Sequence, residues 1–177
     1  MRLLSVKGNL FPDVPIDLYF DPHFVPDIFV IGGMQGCGKT TLFKKLVRGN
    51  RCDFSAIYDE NNVGSIFLGA DYFNSGEDDI DPAYTLRYAW KNGGEKYKQI
   101  ISWVAGLPNK SVILLDNPDT GLHPDNQFML VKDLEKVKGD SQIIIATHSY
   151  ELCTALTPSH VHVIYTPAQI AAERRKD

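Results

Sequence analysis

The sequence contains little cysteine, no long apolar run and no excess of positive charge. Its three cysteines among 177 residues are too few and too scattered for a disulfide framework or a Cys-x-x-Cys metal site, so a reducing cytosol is the expected compartment. No segment approaches the roughly 18 apolar residues that cross a bilayer, and the N-terminus lacks the apolar core of a signal peptide. We therefore expect a soluble, cytoplasmic protein without membrane insertion. The formal net charge of -4 argues against a broadly basic surface that wraps nucleic acid.

What is present is the composition of an ordinary globular protein. Hydrophobic residues make up 44% of the chain and charged residues 23%, as in soluble proteins with a conventional core. The length suits a single domain over residues 1–177. A local basic cluster of Lys44, Lys45, Arg48 and Arg51 is best interpreted as a solvated helix face that runs into a loop, although an association with DNA stays open.

Apolar runs alternate with amphipathic segments along the chain. The runs at 27–31, 111–116 and 142–147 are unbroken and predict central parallel strands buried on both faces. Further strands are predicted at 2–7, 16–20, 65–70 and 161–165, and a surface loop is predicted at 74–81. Helices are predicted from Lys39 to a stop at Gly49, at 82–90, after Gly93-Gly94, at 125–138 and at 167–175. This alternation predicts an α/β fold with a mostly parallel central sheet.

A glycine-rich loop follows the first of these buried strands. Residues 33–40 match Gly-x-x-x-x-Gly-Lys-Thr between a strand and a helix, the context that phosphate binding requires. Glycines let backbone N–H groups turn onto phosphate oxygens, and the helix N-terminus adds its positive dipole. Lys39 is expected to reach the β- and γ-phosphates, and the Thr40 hydroxyl to ligate Mg²⁺. The sequence therefore predicts binding of ATP with Mg²⁺ by Gly33, Gly36, Cys37, Gly38, Lys39, Thr40 and Thr41.

An aspartate ends the buried strand at 111–116. A carboxylate at the end of a strand beside the phosphate loop is the usual contact to Mg²⁺ in these nucleotide hydrolases. On residue type alone, such an aspartate is often only a turn or cap residue, and the loop elsewhere in the sequence is what favours the metal role. Asp116 is therefore predicted to hold Mg²⁺ together with Thr40.

Three further segments resemble ABC-type ATPases. Residues 114–124, Leu-Leu-Asp-Asn-Pro-Asp-Thr-Gly-Leu-His-Pro, resemble the Walker B and D-loop segment of that family. Their Gly-Leu-His-Pro ending is closest to the non-transporter branch, the RecF/SMC-like and OLD-type ATPases of DNA repair and phage defence. Residues 143–149 look like the family's switch-histidine strand. Residues 91–95, Lys-Asn-Gly-Gly-Glu, occupy the slot of the ABC signature, with Asn92 where Ser is usual; alone they would be a turn that starts a helix.

The resemblance, which covers roughly residues 27–152, implies a P-loop NTPase fold like that of the ABC ATPases and a nucleotide site shared by two chains. His148 would contact the γ-phosphate. Asn92, Gly93 and Gly94 would reach the γ-phosphate of a partner chain, so the implied partner is a second copy in an ATP-dependent head-to-tail homodimer. The catalytic set implied within one chain is Lys39, His148 and the residue at position 117.

Two departures from the family pattern bear on activity. Asn117 stands where active ABC ATPases carry the Glu that polarises the attacking water, and an amide cannot accept that proton. Losing a general base typically costs about 10²–10⁴-fold in rate, so ATP should bind while hydrolysis is slow or absent. The segment between Thr40 and Gly93 is also far shorter than in transporter subunits or coiled-coil relatives, which predicts a much reduced helical subdomain. It offers no convincing Q-loop glutamine. By spacing, Phe11 is a candidate for stacking on adenine, but the interpretation favoured for it is a core-facing residue.

Two other functions stay open. A hydrolysis-deficient, ATP-sensing module that recruits or gates a separate effector, such as a nuclease or a DNA-processing partner, also fits Asn117. A small-molecule kinase would begin with a similar phosphate loop, but it needs paired arginines over the phosphates, and the adjacent pair here, Arg174 and Arg175, lies in the terminal tail. The biological process does not follow from a fold of this type.

Overall fold

The computed structural model describes residues 1–11, 14–25, 27–49, 53–59, 65–70, 85–87, 92–166 and 169. In chain order the elements are β1 (Leu3–Phe11), β2 (Val14–Tyr19), β3 (Ile28–Gly32), α1 (Lys39–Arg48), β4 (Phe54–Tyr58), β5 (Ile66–Ala70), β6 (Thr85–Arg87), α2 (Gly93–Gly106), β7 (Val112–Asp116), α3 (Pro124–Val137), β8 (Gln142–Thr147), α4 (Tyr150–Thr154) and β9 (Val161–Val163). The strands form a three-stranded sheet of order β2-β1-β4 and a six-stranded sheet.

The six-stranded sheet places the ends of three buried strands side by side. Its order is β6-β5-β7-β8-β3-β9, and every neighbouring pair is parallel. Each residue of β3, β7 and β8 is buried, which explains why these strands are apolar throughout. Because the three strands are parallel neighbours, their C-terminal ends at Gly32, Asp116 and Thr147 meet at one edge. Open parallel sheets bind ligands at this edge.

Successive residues of the central strands point into two separate hydrophobic cores. Phe29, Leu114 and Ile144 belong to a core that also contains residues of α1 and of the antiparallel sheet. Their neighbours Ile113 and Ile145 belong to a second core that contains residues of α2, α3 and α4. Since neighbouring strand residues face opposite sides of a sheet, α1 and the antiparallel sheet cover one face and the other three helices cover the opposite face.

The α/β fold with a mostly parallel sheet is confirmed, as are the helices predicted from Lys39, after Gly93-Gly94 and at 125–138. Two elements, β4 and α4, were not predicted. Between α1 and α2, the described residues form the strands β4, β5 and β6 and contain no helix. Residues 71–84 and 88–91 of this segment lie outside the described residues, so the prediction of a much reduced helical subdomain stays a prediction.

The helix predicted at 82–90 is wrong over Thr85–Arg87, which form the edge strand β6. These residues pair in parallel with Leu68–Ala70 of β5, so backbone pairing with the sheet edge outweighs the local helical pattern. Several other predictions lie outside the described residues and are not tested by the structure. They are the rest of the helix at 82–90, the loop at 74–81, Arg51, and the terminal helix at 167–175 apart from Gln169, which includes Arg174 and Arg175.

Candidate functional site

The glycine-rich loop 33–40 connects β3 to α1, and its backbone geometry requires glycine at two positions. Gly33 has a φ of +152°, and a Cβ there would lie 2.5 Å from the Ile164 carbonyl oxygen. Gly38 precedes α1 with a φ of +105°, and a Cβ there would lie 2.9 Å from the ring of Phe11. Side chains at either position would clash or strain the backbone. The loop is therefore shaped by its sequence to present bare backbone at the start of α1.

The Lys39 side chain turns back over this loop. It is only 4% exposed, and its ammonium donates to the carbonyl oxygens of Gly33 at 2.8 Å and Met34 at 3.1 Å. His148, which follows β8, places Nδ1 2.8 Å from the same Gly33 oxygen and 3.2 Å from Lys39 Nζ. Because a carbonyl oxygen only accepts, the short Gly33 contact requires the hydrogen on Nδ1. Lysine and histidine are thus gathered at one point of the loop.

A cavity of about 250 Å³ opens beside this point. It brings together side chains from β1, the loop, α1 and the segments that follow β7 and β8. Its lining consists of Phe11, Gln35, Gly36, Gly38, Lys39, Thr40, Thr41, Asn117 and His148. Most of the residues predicted from the loop therefore share one cavity with Asn117 and His148, which come from distant parts of the sequence. Cys37 is fully buried under the loop instead.

Phe11 was interpreted as a core residue, and that interpretation is wrong. The register of β1 shifts between Asn9 and Phe11, and Leu10 takes the buried position at 2% exposure while Phe11 is 36% exposed. Neighbouring side chains of a strand face opposite sides, so the buried Leu10 leaves Phe11 facing away from the core. The ring lies against Gly38 and forms one wall of the cavity.

Asp116 and Asn117 lie where β7 leaves the sheet. Asp116 is 4% exposed, and Asn117 Nδ2 donates to its Oδ1 at 3.1 Å. Asn117 has a φ of +49°, a left-handed conformation that asparagine tolerates better than most residues. Its backbone N–H donates to the Ala146 carbonyl of β8 at 2.8 Å, while its Oδ1 is buried and has no hydrogen-bond partner among the described residues. Asp116 does not itself line the cavity, but it is bonded to Asn117, which does.

Thr40, which lines the cavity, and Asp116, which is bonded to the lining residue Asn117, each carry an oxygen that could bind a divalent cation. Among the described residues no group of three or more His, Cys, Asp or Glu side chains is gathered that could enclose a metal by itself. A magnesium site on a nucleotide does not need one, because Mg²⁺ typically takes one or two protein ligands and completes its shell with phosphate oxygens and water. The partly solvated Thr40 hydroxyl and the Asp116 carboxylate fit that requirement.

Asn92, Gly93 and Gly94 do not line this cavity. Asn92 is the N-cap of α2, and its side chain accepts from the Glu95 N–H at 2.9 Å. Asparagine therefore satisfies the helix end as serine would. A Cβ on Gly93 would lie 2.3 Å from the Gly121 carbonyl oxygen, so this turn packs closely on the loop that follows β7. The turn and the cavity are separate surfaces of one chain.

Hydrogen bonds that the sequence did not reveal tie the loop after β7 to β8. Asp119 accepts from the Thr147 hydroxyl at 2.7 Å, and Thr147 Oγ1 accepts from the Ser149 N–H at 2.8 Å. Lys96 is fully buried and donates to the Asn117 and Thr120 carbonyl oxygens. Nothing in the sequence marked Lys96, because a helical lysine is ordinarily a surface residue.

Comparisons with known proteins agree with this arrangement. Residues 93–154 match the family described as "AAA domain, putative AbiEii toxin, Type IV TA system". A putative ABC transporter ATP-binding protein from Caldanaerobacter subterraneus is 26% identical over an alignment covering 85% of this chain and 82% of that protein. The energy-coupling factor transporter ATP-binding protein EcfA1 of Staphylococcus aureus is 36% identical, but over 41% of this chain and only 27% of its own length.

The fold has solved counterparts. A putative ABC transporter ATP-binding protein from Pyrococcus furiosus superimposes with a TM-score of 0.51 at 12% identity, over 90% of this chain and 97% of that one. No helix within the described ranges is long and apolar enough to cross a membrane. The chain is thus similar in sequence to ABC-type ATP-binding proteins, and its fold is similar to that of a solved protein of this type.

Proposed function

We propose that the chain binds ATP with Mg²⁺ in the cavity beside the loop 33–40, and that bound ATP joins two copies head to tail. The observation that carries the proposal is the separation of the two surfaces. Lys39, Thr40 and His148 gather at one cavity, whereas the turn at 92–94 displays exposed residues elsewhere on the same chain. A second copy is needed to bring that turn over the first copy's nucleotide.

In this proposal the loop holds the phosphates. Backbone N–H groups from Gly33, Gly36, Cys37, Gly38 and the start of α1, including Thr41, would face the phosphate oxygens, and the helix dipole would add to their attraction. Lys39 would exchange its two carbonyl contacts for β- and γ-phosphate oxygens. Bound Mg²⁺ supplies positive charge that offsets the phosphate charge, with Thr40 and Asp116 as its protein ligands.

Slow or absent hydrolysis is the second part of the proposal. Asn117 lines the cavity at the position expected for the group that polarises water, but its amide has no basic oxygen of the required strength. Its Nδ2 is directed to Asp116 instead. The chain would then hold ATP for long periods, and the lifetime of the dimer would be set by nucleotide release or by an accelerating partner.

The dimer is tested by changing the turn without disturbing the fold. In Gly94→Ala the new Cβ would meet no atom closer than Asn92 Oδ1 at 3.5 Å, so the monomer should fold and bind ATP as before. A methyl group between the turn and a partner's γ-phosphate should weaken ATP-dependent dimerisation at least tenfold, measured by light scattering during gel filtration with ATP·Mg²⁺.

Gly106→Ala is the matched control, because it makes the same change at the other end of α2, where a Cβ meets no atom within 4 Å. It should dimerise like the wild type. If the wild-type chain and the Asn117→Glu variant both stay monomeric with ATP at high protein concentration, the proposed dimer is contradicted. Equal dimerisation of Gly94→Ala and wild type would contradict the role of the turn.

Phe11 is proposed to stack on the adenine ring, because it is the aromatic wall of the cavity. Base–aromatic stacking is worth about 1–3 kcal/mol per base, so Phe11→Ala should weaken ATP binding about 5- to 100-fold by calorimetry. Binding of inorganic tripolyphosphate, which has no base, should not change. Tyr19→Ala removes an aromatic that is 62% exposed on β2 and serves as control. Equal losses for ATP and tripolyphosphate would show that Phe11 shapes the loop rather than binding the base.

A second candidate function is favoured by Asn117, namely an ATP-sensing module that recruits or gates a separate effector. A steady-state ATPase assay separates the two functions, since turnover well above background that Lys39→Ala abolishes would reject the module.

For either function we propose a process in DNA repair or phage defence. The ending Gly121–Pro124 and the short segment between α1 and α2 support a non-transporter role, although the three ATP-binding proteins compared above all carry transporter names. An ATP-dependent mobility shift with duplex DNA tests the repair process.

A further inference from the structure

Lys96 is a charged side chain in an unusual place. It lies in the first turn of α2 and is 0% exposed. Its ammonium donates to the carbonyl oxygens of Thr120 at 2.8 Å and Asn117 at 3.1 Å. Burying an ammonium group is costly unless hydrogen bonds compensate it. Both of these bonds go to one loop, the connection from β7 to α3, so the charge is used to hold that loop against α2.

The same loop also touches the turn that precedes α2. The Gly121 carbonyl oxygen lies so close to Gly93 that a Cβ there would come within 2.3 Å. Within the loop, the Thr120 N–H donates to the Asn117 carbonyl at 3.3 Å, and the Leu122 N–H donates to the Asp119 carbonyl at 2.9 Å. The first turn of α2 and the loop 117–122 therefore form one unit with Lys96 at its centre.

The opposite side of this loop is fixed to the nucleotide cavity. The Asn117 N–H bonds to Ala146 at 2.8 Å, and Asp119 bonds to Thr147 at 2.7 Å, one residue before His148. Asn117 itself lines the cavity. The loop is thus the physical connection between the cavity of one chain and the turn that the same chain would offer to its partner.

We infer that Lys96 is a positioning residue that couples a chain's own nucleotide site to the turn it presents to the partner's γ-phosphate. The inference rests on the proposed dimer. Lys96 does not itself line the cavity, but it donates to the backbone carbonyl of Asn117, which does; in the proposal it does not touch the nucleotide. Its ammonium keeps the loop and the turn 92–94 in one orientation, so that ATP bound at Lys39 and His148 sets the position of that turn. Loss of the ammonium should leave ATP binding intact and impair the joining of two chains.

The test compares Lys96→Met with Tyr97→Phe. Methionine keeps most of the side-chain volume, but it removes the ammonium that donates to the Asn117 and Thr120 carbonyl oxygens and leaves both without that donor. Tyr97→Phe removes a hydrogen bond from the neighbouring residue of the same helix, directed to Asp133 of α3 instead of to the loop. The first variant thus loses two bonds to the loop, and the second loses one bond to α3 from the same helix.

Two measurements are made on each variant. Hydrogen–deuterium exchange of the ATP-free chain should rise at least tenfold in peptides covering 117–122 for Lys96→Met and should not change for Tyr97→Phe. ATP affinity by calorimetry should stay within about twofold of the wild type for both, whereas the concentration needed for ATP-dependent dimerisation should rise at least tenfold for Lys96→Met alone. If Lys96→Met does not fold, Lys96→Gln is measured by the same criteria.

The outcomes separate this inference from the proposal beneath it. If hydrogen–deuterium exchange at 117–122 is unchanged in Lys96→Met, Lys96 does not hold the loop. If exchange is faster but dimerisation is unaltered, only the positioning role is overturned. An equal loss of ATP affinity and dimerisation would show that Lys96 only supports the cavity. A wild-type chain that never dimerises overturns the proposed function and the positioning role with it.

Discussion

Asn117→Glu should raise the steady-state rate of ATP hydrolysis by about 10²–10⁴-fold, the range that a positioned general base contributes. Asn117 lines the cavity together with Lys39 and His148, so the substitution adds a carboxylate beside both of these side chains. The measurement is phosphate release under excess ATP·Mg²⁺ at a chain concentration that permits dimerisation.

The structure also predicts a cost of this gain. The Asn117 amide donates to Asp116 at 3.1 Å, and a glutamate there would replace that bond by repulsion between two carboxylates. A φ of +49° also suits asparagine better than glutamate, by roughly 1 kcal/mol. Asn117→Glu should therefore melt at a lower temperature than wild type without ligand, and Mg²⁺ with ATP should restore most of the loss because the cation screens both carboxylates.

Asn117→Gln is the control, since it lengthens the side chain by the same methylene without adding a base. It should remain as slow as the wild type. The double variant Lys39→Ala/Asn117→Glu should also be inactive, which assigns any activity to this cavity. If Asn117→Glu folds, binds ATP and dimerises yet gains no activity, then position 117 is not directed at the attacking water.

The loop 33–40 could be predicted from the sequence because its constraints are local. Gly33 and Gly38 are required by their own backbone angles and by close neighbours, and the strand before them and the helix after them carry distinct hydrophobic periods. The places of Asp116 and His148 at one edge of the sheet could be predicted for a related reason. Each ends a fully buried parallel strand or comes directly after one, and parallel strands bring such ends to one edge of the sheet.

Phe11, Thr85–Arg87 and Lys96 show where sequence reasoning stopped. The strand was predicted only at 2–7, and its continuation to Phe11, which places that side chain opposite the buried Leu10, depends on pairing with β2 and β4. Thr85–Arg87 are a strand only because β5 offers them a backbone partner. The Lys96 ammonium is buried only because the loop after β7 returns carbonyl groups to α2. All three depend on contacts between segments distant in sequence.

Lys39→Ala should abolish the stabilisation of the fold by ATP. Wild-type chain at an ATP concentration about 100 times its dissociation constant should gain about 2.7 kcal/mol, which for a domain of this size raises the melting temperature by about 5–10 °C. Lys39 is buried at the centre of the loop. Truncating one member of a buried, hydrogen-bonded charge pair costs about 2–5 kcal/mol, so ATP binding should weaken about 30-fold or more and most of the shift should disappear.

The choice of control decides what a lost shift means. Lys39 also bonds to the Gly33 and Met34 carbonyls in the absence of nucleotide, so Lys39→Ala could lower the melting temperature by disturbing the loop alone. The informative quantity is therefore the difference with and without ATP·Mg²⁺, measured beside Lys136→Ala, which removes a lysine that is 70% exposed on α3 and pairs with Asp133. Lys136→Ala should keep the full ATP-dependent shift. If Lys39→Ala keeps the full ATP-dependent shift in melting temperature, the triphosphate does not bind at the loop, and this cavity is not the nucleotide site.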